Sequence, residues 1–277
     1  MPTTCVATKT ITAQAAGVAL TFDAYILAQP AINAGGVLNA ASYQGTVAPG
    51  SYVSIYGLNM VEADLLSNAN GDGAPWLPLP MAIDGVNVSF DVPSAGISVP
   101  GNLIFVSPGQ INVQVPWELQ GQSSAQVKVT MDEMYGYPVF GNVVTVPLTA
   151  CAPAFYVGGG TIAAEDAVTG VAILASNPAH PGEILSLYAN GLGPVTNTPA
   201  SGAPAPGGAS ADLANTTTQP VMMIGGQQAQ VGFSGLAPGY AGLYQIDATV
   251  PAGLTGNQQV TVSIGGQTSP AVTLPVK

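Results

Sequence analysis

Arginine is absent from this chain of 277 residues, and only three lysines are present, Lys9, Lys128 and Lys277. Nucleic-acid phosphates are bound largely through the positive charge of lysine and arginine side chains. The same side chains draw proteins to anionic membrane surfaces. Because 14 acidic residues give a formal net charge of −11, the composition argues against nucleic acid as a partner and disfavours an anionic membrane surface.

Long apolar runs are also missing, although the mean hydropathy is +0.39. Gly, Pro, Thr or Asn interrupts every apolar stretch well short of the roughly 20 residues that a membrane-spanning helix needs. The first residues, MPTTCVATKTITAQ, show no basic region leading into an apolar one, so no signal peptide is evident. The lysine-poor, Thr/Gly/Pro-rich and strand-prone composition nevertheless predicts an extracellular or cell-surface location.

Groups for catalysis are scarce. The one histidine, His180, has no GxSxG nucleophile motif to serve and no second histidine with which to hold zinc. The acidic pairs Asp132–Glu133 and Glu165–Asp166 are sequence neighbours, so on a strand their side chains point to opposite faces rather than flanking one sugar bond. The sequence therefore predicts a protein that is not an enzyme and needs no cofactor, with calcium as the one cofactor candidate.

There are two cysteines, Cys5 and Cys151. In an oxidising compartment they could form one disulfide, closing a loop of roughly 146 residues and adding about 4–5 kcal/mol on the chain-entropy account. The alternative is a pair of separate thiols.

The heptapeptide QINVQVP at 110–116 returns as QIDATVP at 245–251. Polar and apolar positions alternate in both and each ends at a proline, the pattern of a half-buried strand. Further echoes follow in the same order, among them PGSYVSIYGLN with PGEILSLYANGLG and VVTVPL with AVTLPV. This order indicates that a whole domain is duplicated.

Each copy holds about seven short alternating runs separated by turn residues, which is typical of an antiparallel β-sandwich. The sequences IDG and IGG predict tight hairpin turns. The predicted fold is therefore all-β, with two tandem immunoglobulin-like sandwiches at 31–150 and 151–277 and a strand-like N-terminal extension at 1–30.

Copy one contains a long irregular stretch, VEADLLSNANGDGAPWLPLP. Oxygen-bearing side chains at alternate positions resemble the start of a calcium loop; the candidate ligands are Asp64, Asn68, Asn70 and Asp72. Because no closing bidentate acid follows, an Asx-type turn is the alternative. For a carbohydrate ligand, the two tryptophans, Trp76 and Trp117, are the candidate contacts.

Residues 1–30 read as strand, as in KTITAQ and VALTFDAYILAQ. Sheet edges carry unpaired backbone groups that recruit an extra strand. This segment could complete its own first sandwich, or it could insert into a neighbouring copy in the manner of donor-strand filaments.

The stretches LNAASYQGTVAPGSYVSIYG, FVSPGQINVQVPWEL, NPAHPGEILSLYANGLGPV and GLAPGYAGLYQIDATVPAGL resemble an uncharacterized C-terminal domain family of Solibacter-type Acidobacteria. Its copies are similar to the immunoglobulin-like domains, known as IPT/TIG, that plexins and transcription factors share. The resemblance covers residues 31–277. It implies paired immunoglobulin-like folds and export, and it implies no catalytic residues.

Together these observations predict a non-enzymatic extracellular structural or adhesive protein. Its partner would be another copy of itself, joined through a strand edge into an oligomer or filament. The alternative is a carbohydrate-binding module of a larger secreted protein, with polysaccharide as the partner.

Overall fold

The structure is a computed structural model that describes residues 5–62, 65–132, 138–208 and 212–277, with the side chains of these residues except 5–9 and 23–27. It is built almost entirely from β-strands in sheets that pack as two sandwiches in tandem. This confirms the predicted fold class. None of the helical segments in the described parts of the chain has the length and hydropathy of a membrane-spanning helix.

The N-terminal segment forms a hairpin rather than one strand. β1 (Cys5–Ala15) pairs antiparallel with β2 (Val18–Leu27), and the turn residues Ala16 and Gly17 have φ of 50° and 82°. Two successive positive φ values suit the tight turns that join antiparallel strands. Within the described chain this hairpin is a sheet of its own, so in this structure it adds no strand to the sheets of the first sandwich.

Outside the gaps at 63–64 and 133–137, the first sandwich is formed by ten strands: β3 (Ala31–Asn39), β4 (Tyr52–Leu58), β5 (Asp72–Gly73), β6 (Ala82–Ile83), β7 (Val86–Val92), β8 (Ile97–Pro100), β9 (Asn102–Ser107), β10 (Gln110–Gln114), β11 (Ser124–Met131) and β12 (Val139–Pro147). One sheet has the order β3-β4-β10-β9-β5. The other has the order β12-β11-β7-β6, with β8 paired to β7. Short 3-10 turns lie at Pro93–Ala95 and Trp117–Leu119.

In its described residues, the second repeat contains eleven strands: β13 (Ala154–Phe155), β14 (Val157–Gly158), β15 (Thr161–Ile162), β16 (Ala164–Asp166), β17 (Ile184–Asn190), β18 (Val221–Ile224), β19 (Gln227–Leu236), β20 (Tyr244–Thr249), β21 (Gly256–Ile264), β22 (Gln267–Thr268) and β23 (Val272–Val276). Its main sheet path is β13-β17-β20-β19-β18-β21-β22. β14 and β15 pair as a small sheet of their own. β19 pairs with β18 through its first residues and with β20 through its last ones, so it passes from one layer to the other.

Alternating side chains fill each core. In β7, Val86, Val88, Phe90 and Val92 are buried while the residues between them are half-exposed. Removing apolar surface from water in this way stabilises the fold by about 25 cal/mol per Å². Each sandwich has its own buried cluster of apolar residues, which is why the two copies can be described as separate cores.

The duplicated heptapeptides occupy equivalent strands. β10 lies between β4 and β9, and β20 lies between β17 and β19. The predicted hairpin turns are confirmed at Asp84–Gly85, between β6 and β7, and at Gly225–Gly226, between β18 and β19; all four residues have positive φ.

The long loop of copy two packs onto copy one. The backbone N–H of Trp117 donates to Ser201 Oγ at 2.9 Å, and Gly202 N–H donates to Gln114 Oε1 at 2.7 Å. Leu79 N–H, from the long loop of copy one, donates to the Gly202 carbonyl at 2.8 Å. The two loops therefore help to join the sandwiches.

Candidate functional site: a tyrosine cleft between the two repeats

The two repeats meet at a buried pair of asparagines that fixes the base of a cleft. Asn190, at the end of β17, accepts a hydrogen bond from Tyr52 N–H at 2.9 Å and donates back to the Tyr52 carbonyl at 2.8 Å. Asn39, at the end of β3, donates to the Ala152 carbonyl at 2.9 Å. These bonds bring the first residue of β4 against the last residue of β17.

The cleft above this junction has a volume of about 580 Å³. Five tyrosines dominate its walls, together with hydroxyl, amide and carboxylate groups. The lining residues are Ala40, Tyr43, Tyr52, Ser54, Ile104, Gln110, Asn112, Tyr156, Glu165, Tyr188, Tyr240 and Leu243. Ligand sites of 300–1,000 Å³ that combine aromatic walls with a few polar groups are typical of small-molecule and oligomer recognition.

Two of the tyrosines are open to solvent. Tyr43 follows β3 in a turn with φ of 57° and is 62% exposed. Tyr240, in the turn before β20, is 57% exposed, and its backbone N–H donates to the Ala237 carbonyl. Fixed backbone turns therefore hold two exposed rings at the cleft, where a ligand can reach their faces.

Deeper in the cleft, the Tyr188 hydroxyl donates to Glu165 Oε1 at 2.7 Å. Burial, and after it the hydrogen bond to Glu165, raise the pKa of Tyr188 above its ordinary value. The strand register sets this contact, because Glu165 of β16 pairs with Ser186, two residues before Tyr188 on β17. The bond orients the Tyr188 ring and leaves an acidic group at the wall.

The Tyr156 hydroxyl is shielded from solvent and has no hydrogen-bond partner among the described residues. Burial, and then the neighbouring Tyr52 and Tyr43, raise its pKa. An unpaired buried hydroxyl is unfavourable by about 1–3 kcal/mol.

The amide groups of the cleft come from the first heptapeptide. Gln110 and Asn112 alternate with buried Ile111 and Val113 on β10, so they face outward. Gln110 Nε2 donates to Asn112 Oδ1 at 2.8 Å. The polar face of this half-buried strand thus becomes part of the cleft wall.

The two tryptophans predicted to contact glycan have different environments. Trp117 is 7% exposed and belongs to the buried cluster of copy two, so its role as a glycan contact is wrong. It packs against Gly50, where a Cβ would lie 2.1 Å from the indole ring. Trp76 is 69% exposed and lines a separate hollow with Ser67, Asp72 and Asp84.

Three of the calcium candidates, Asn68, Asn70 and Asp72, lie in one turn. Both carboxylate oxygens of Asp72 accept backbone N–H groups, from Ser67 at 2.5 Å and from Asn68 at 3.0 Å, and Asn68 Oδ1 accepts Asn70 N–H at 3.0 Å. The bonds from Ser67 lower the pKa of the Asp72 carboxyl. No group of three or more His, Cys, Asp or Glu suited to a metal occurs in the described residues. Asp64 lies outside them, so calcium binding stays a prediction.

Cys151 carries a free, buried thiol. It donates to the Leu192 carbonyl at 3.6 Å. This arrangement gives no support to the predicted bridge, and the side chain of Cys5 lies outside those described. His180 is exposed, and its backbone N–H donates to Glu183 Oε2, so the structure places it in a turn and outside the cleft lining.

The sequence offered only part of the signal for this site. The alternation in SIY and SLY sets Ser54 of β4 and Tyr188 of β17 on the same faces of their strands as Tyr56 and Ser186, and of these four residues Ser54 and Tyr188 line the cleft. Tyr43, Tyr156 and Tyr240 lie in loops or next to short strands. They meet only because the repeats pack together.

The sequence matches no protein-family model, and no curated protein shows significant similarity to it. Among solved structures, SGBP-B of the Bacteroides ovatus mixed-linkage glucan utilization locus, in complex with a heptasaccharide, aligns with 94% of this chain at 13% identity and a TM-score of 0.32. The plexin A4 extracellular region aligns with 90% at 12% identity and a TM-score of 0.30. Domains 4–9 of surface layer protein SbsC align with 98% at 14% identity and a TM-score of 0.27.

This chain spans 51%, 18% and 35% of those three structures, respectively. At such scores the likenesses carry no argument about function.

Proposed function

We propose that this protein is a non-enzymatic binding protein of the cell exterior that holds a polysaccharide in the tyrosine cleft. The observation that carries the proposal is the convergence of five tyrosines from both repeats around one cavity. Aromatic rings offer flat apolar faces with a polar edge, which suits the alternating apolar faces and hydroxyl rims of sugar rings. Ser54, Gln110 and Asn112 supply hydroxyl and amide partners for those rims.

The chemistry of the lining favours binding over catalysis. Its groups are rings, hydroxyls and amides around one carboxylate, Glu165, whose Oε1 is already hydrogen-bonded to Tyr188. A glycosidase would instead hold a pair of carboxyl groups flanking the bond to be broken.

Charge supports the same ligand class. With 14 acidic and three basic residues, the protein repels polyanions. Of the three lysines, Lys128 lies over the Phe140 ring, 5.4 Å from its centroid, away from the residues of the cleft. Acidic polysaccharides are therefore poor candidates compared with neutral or cationic ones.

A glycan array followed by titration calorimetry tests the proposal. Tyr43→Ala and Tyr240→Ala each remove an exposed ring worth about 1 kcal/mol, so we expect roughly fivefold weaker binding for each and about 25-fold for the pair. Trp76→Ala, which removes an exposed ring outside the cleft, should leave affinity unchanged. A glycan that binds equally well to the double tyrosine variant, or that is lost on Trp76→Ala, would contradict a cleft site.

A second candidate function is self-association through the N-terminal hairpin. The register pairs Ile11 with Phe22, Ala13 with Leu20 and Ala15 with Val18, so these six side chains share one face. Ile11, Val18, Leu20 and Phe22 are each at least half exposed. A two-stranded ribbon is only marginally stable alone, and an apolar face of this kind gains stability when it is covered.

Residues 10–22 of the ribbon contain no charged residue. Two ribbons could therefore pack face to face while the acidic sandwiches stay farther apart than the Debye length of about 8 Å. This differs from the donor-strand insertion that the sequence suggested, because the apolar face rather than a strand edge makes the contact.

Sedimentation over a concentration series tests this second candidate. The triple substitution Ile11→Thr, Leu20→Thr and Phe22→Thr keeps strand-forming residues but should convert dimers or longer assemblies to monomers. Thr12→Ser with Thr21→Ser, on the opposite face, is the control. A wild-type protein that sediments as a monomer at all concentrations would rule out this candidate and leave the polysaccharide proposal intact.

A further inference from the structure

Both repeats carry the same four-residue row across their outer sheet face. In copy one, Ser54 pairs with Leu38 on one side and with Asn112 on the other, and Asn112 pairs with Phe105. In copy two, the equivalent row is Glu165, Ser186, Asp247 and Phe233. The two rows have the same order of strand partners, and each contains one serine and one phenylalanine in the same place.

The internal hydrogen bonds of the rows also match. Gln110 Nε2 donates to Asn112 Oδ1 at 2.8 Å, and Gln245 Nε2 donates to Asp247 Oδ1 at 2.7 Å. The glutamine in turn pairs across the sheet with Tyr56 in copy one and with Tyr188 in copy two. Duplication has therefore preserved a local scaffold of serine, tyrosine and glutamine on the equivalent sheet of each repeat.

Charge distinguishes the two rows. Glu165 stands where copy one has Leu38, and Asp247 stands where copy one has Asn112. Neighbouring strands lie about 4.8 Å apart, so the Cα atoms of Glu165 and Asp247 are roughly 10 Å apart across Ser186. The row of copy one is neutral, and the row of copy two carries two carboxylates on one outward face.

Each carboxylate accepts hydrogen bonds from described residues through one of its oxygens. Tyr188 donates to Oε1 of Glu165, and Ser186 and Gln245 donate to Oδ1 of Asp247. Both acids are half-exposed, so a ligand can reach them. The Ser186 hydroxyl between them donates to Asp247 at 2.7 Å. An ammonium group placed over Ser186 would therefore find a carboxylate on each side.

We infer that the acidic row of copy two, which reaches the cleft at Glu165 and continues over the adjoining sheet face to Asp247, is a subsite for a sugar carrying a protonated amine, so that the ligand is a polysaccharide with free amino sugars. This inference rests on the proposed polysaccharide function and adds the chemical class of the sugar. Charge-assisted hydrogen bonds from an ammonium group to carboxylates are roughly twice as strong as neutral ones. The neutral row of copy one is suited to an uncharged ring of the same polymer.

Calorimetry with three tetramers of equal linkage, built from glucosamine, N-acetylglucosamine and glucose, tests the inference. The titrations are run at a pH of about 5.5, below the ordinary range in which amines lose their proton. We expect the wild-type protein to bind the glucosamine tetramer at least about tenfold more tightly than the other two. Glu165→Gln with Asp247→Asn should abolish this preference, so that this variant binds the glucosamine and glucose tetramers with equal affinity.

The matched control is Asp132→Asn with Asp212→Asn, which changes net charge equally at two exposed acids outside the row. It should retain the preference. Loss of the preference in this control would show a general charge effect and overturn the subsite. Calcium binding would also overturn the subsite if it competes with the glucosamine tetramer and disappears in the Glu165/Asp247 variant, because the row would then be a metal site.

The two proposals fail in different ways. Equal binding of all three tetramers in a manner that depends on Tyr43 and Tyr240 would overturn the amine subsite while supporting the cleft. Absence of binding for these tetramers and across a glycan array would contradict the polysaccharide function itself.

Discussion

Asn190 Nδ2 donates to Asn39 Oδ1 at 3.0 Å, joining two side chains that are 0% and 1% exposed and lie 151 residues apart in the sequence. Each asparagine also bonds the backbone of the other repeat, at Tyr52 and Ala152. Buried polar groups satisfied in this way fix one geometry, because any shift leaves several of them unpaired. The pair therefore sets how the two walls of the cleft face each other.

Asn190→Ala should loosen this junction. The substitution leaves the Tyr52 N–H without its partner and removes the bonds from Asn190 to the Tyr52 carbonyl and to Asn39. We expect the free energy of unfolding to fall by about 2–4 kcal/mol. Urea denaturation measures the loss. The control is Asn257→Ala, at an exposed position of β21, which should change the free energy of unfolding little. An unchanged midpoint for Asn190→Ala would show that the junction does not hold the repeats together.

Trp117→Ala should unfold the protein readily, whereas Trp76→Ala should not. Trp117 is buried against copy two. Removal of such a side chain lowers the free energy of unfolding by about 3–5 kcal/mol. Trp76 is 69% exposed, so its removal should change the free energy of unfolding by no more than about 0.5 kcal/mol. Thermal unfolding followed by circular dichroism compares them; similar melting temperatures would contradict the buried position of Trp117.

Alkaline pH should destabilise the fold. Burial raises the pKa of Tyr52, Tyr156, Tyr188 and Tyr244 above the ordinary value of 10.0. These groups stay protonated in the folded state while the unfolded chain loses its protons, so stability is retained below a pH of about 10 and falls as pH rises further.

Tyrosine absorbance and urea midpoints measured together across pH 8–12 test this sign. Tyr244→Phe removes the deepest of the four hydroxyls, which donates to the Gly193 carbonyl at 2.6 Å. In this variant the urea midpoint should fall less steeply as pH rises. A midpoint that rises with pH in that interval would contradict the assignment.

The Cys151 thiol should be unreactive in the folded protein. Burial raises its pKa, and the thiolate is the reacting species. A Cβ on Gly193 or Gly265 would lie only 2.5 or 2.7 Å from the sulfur, so a reagent has little room to approach. In a Cys5→Ser variant, an aromatic disulfide reagent should label one thiol in denaturant and none without it.

Measuring the intact mass of the wild-type protein tests whether Cys5 and Cys151 form a disulfide. A disulfide between Cys5 and Cys151 would lower the mass by the two thiol hydrogens and block alkylation in denaturant. The free thiol of the structure predicts two alkylated cysteines instead.

Local pattern was sufficient for the strands and turns. The alternation in QINVQVP and QIDATVP predicted β10 and β20, because a strand sends successive side chains to opposite faces whatever its neighbours are. The glycines of IDG and IGG predicted hairpin turns because they take positive φ without strain. The same local logic was not enough for residues 1–30, where the Ala16–Gly17 turn divides one apparent strand into two.

By itself, the sequence determined that this protein is a duplicated all-β chain with little positive charge, since composition and periodicity are properties of single segments. Tertiary structure alone decided that Trp117 is buried, that Asn39 meets Asn190, and that tyrosines from both repeats share a cleft. Contacts between residues more than a hundred positions apart depend on how two finished sandwiches pack. No repeating pattern along the chain encodes that packing.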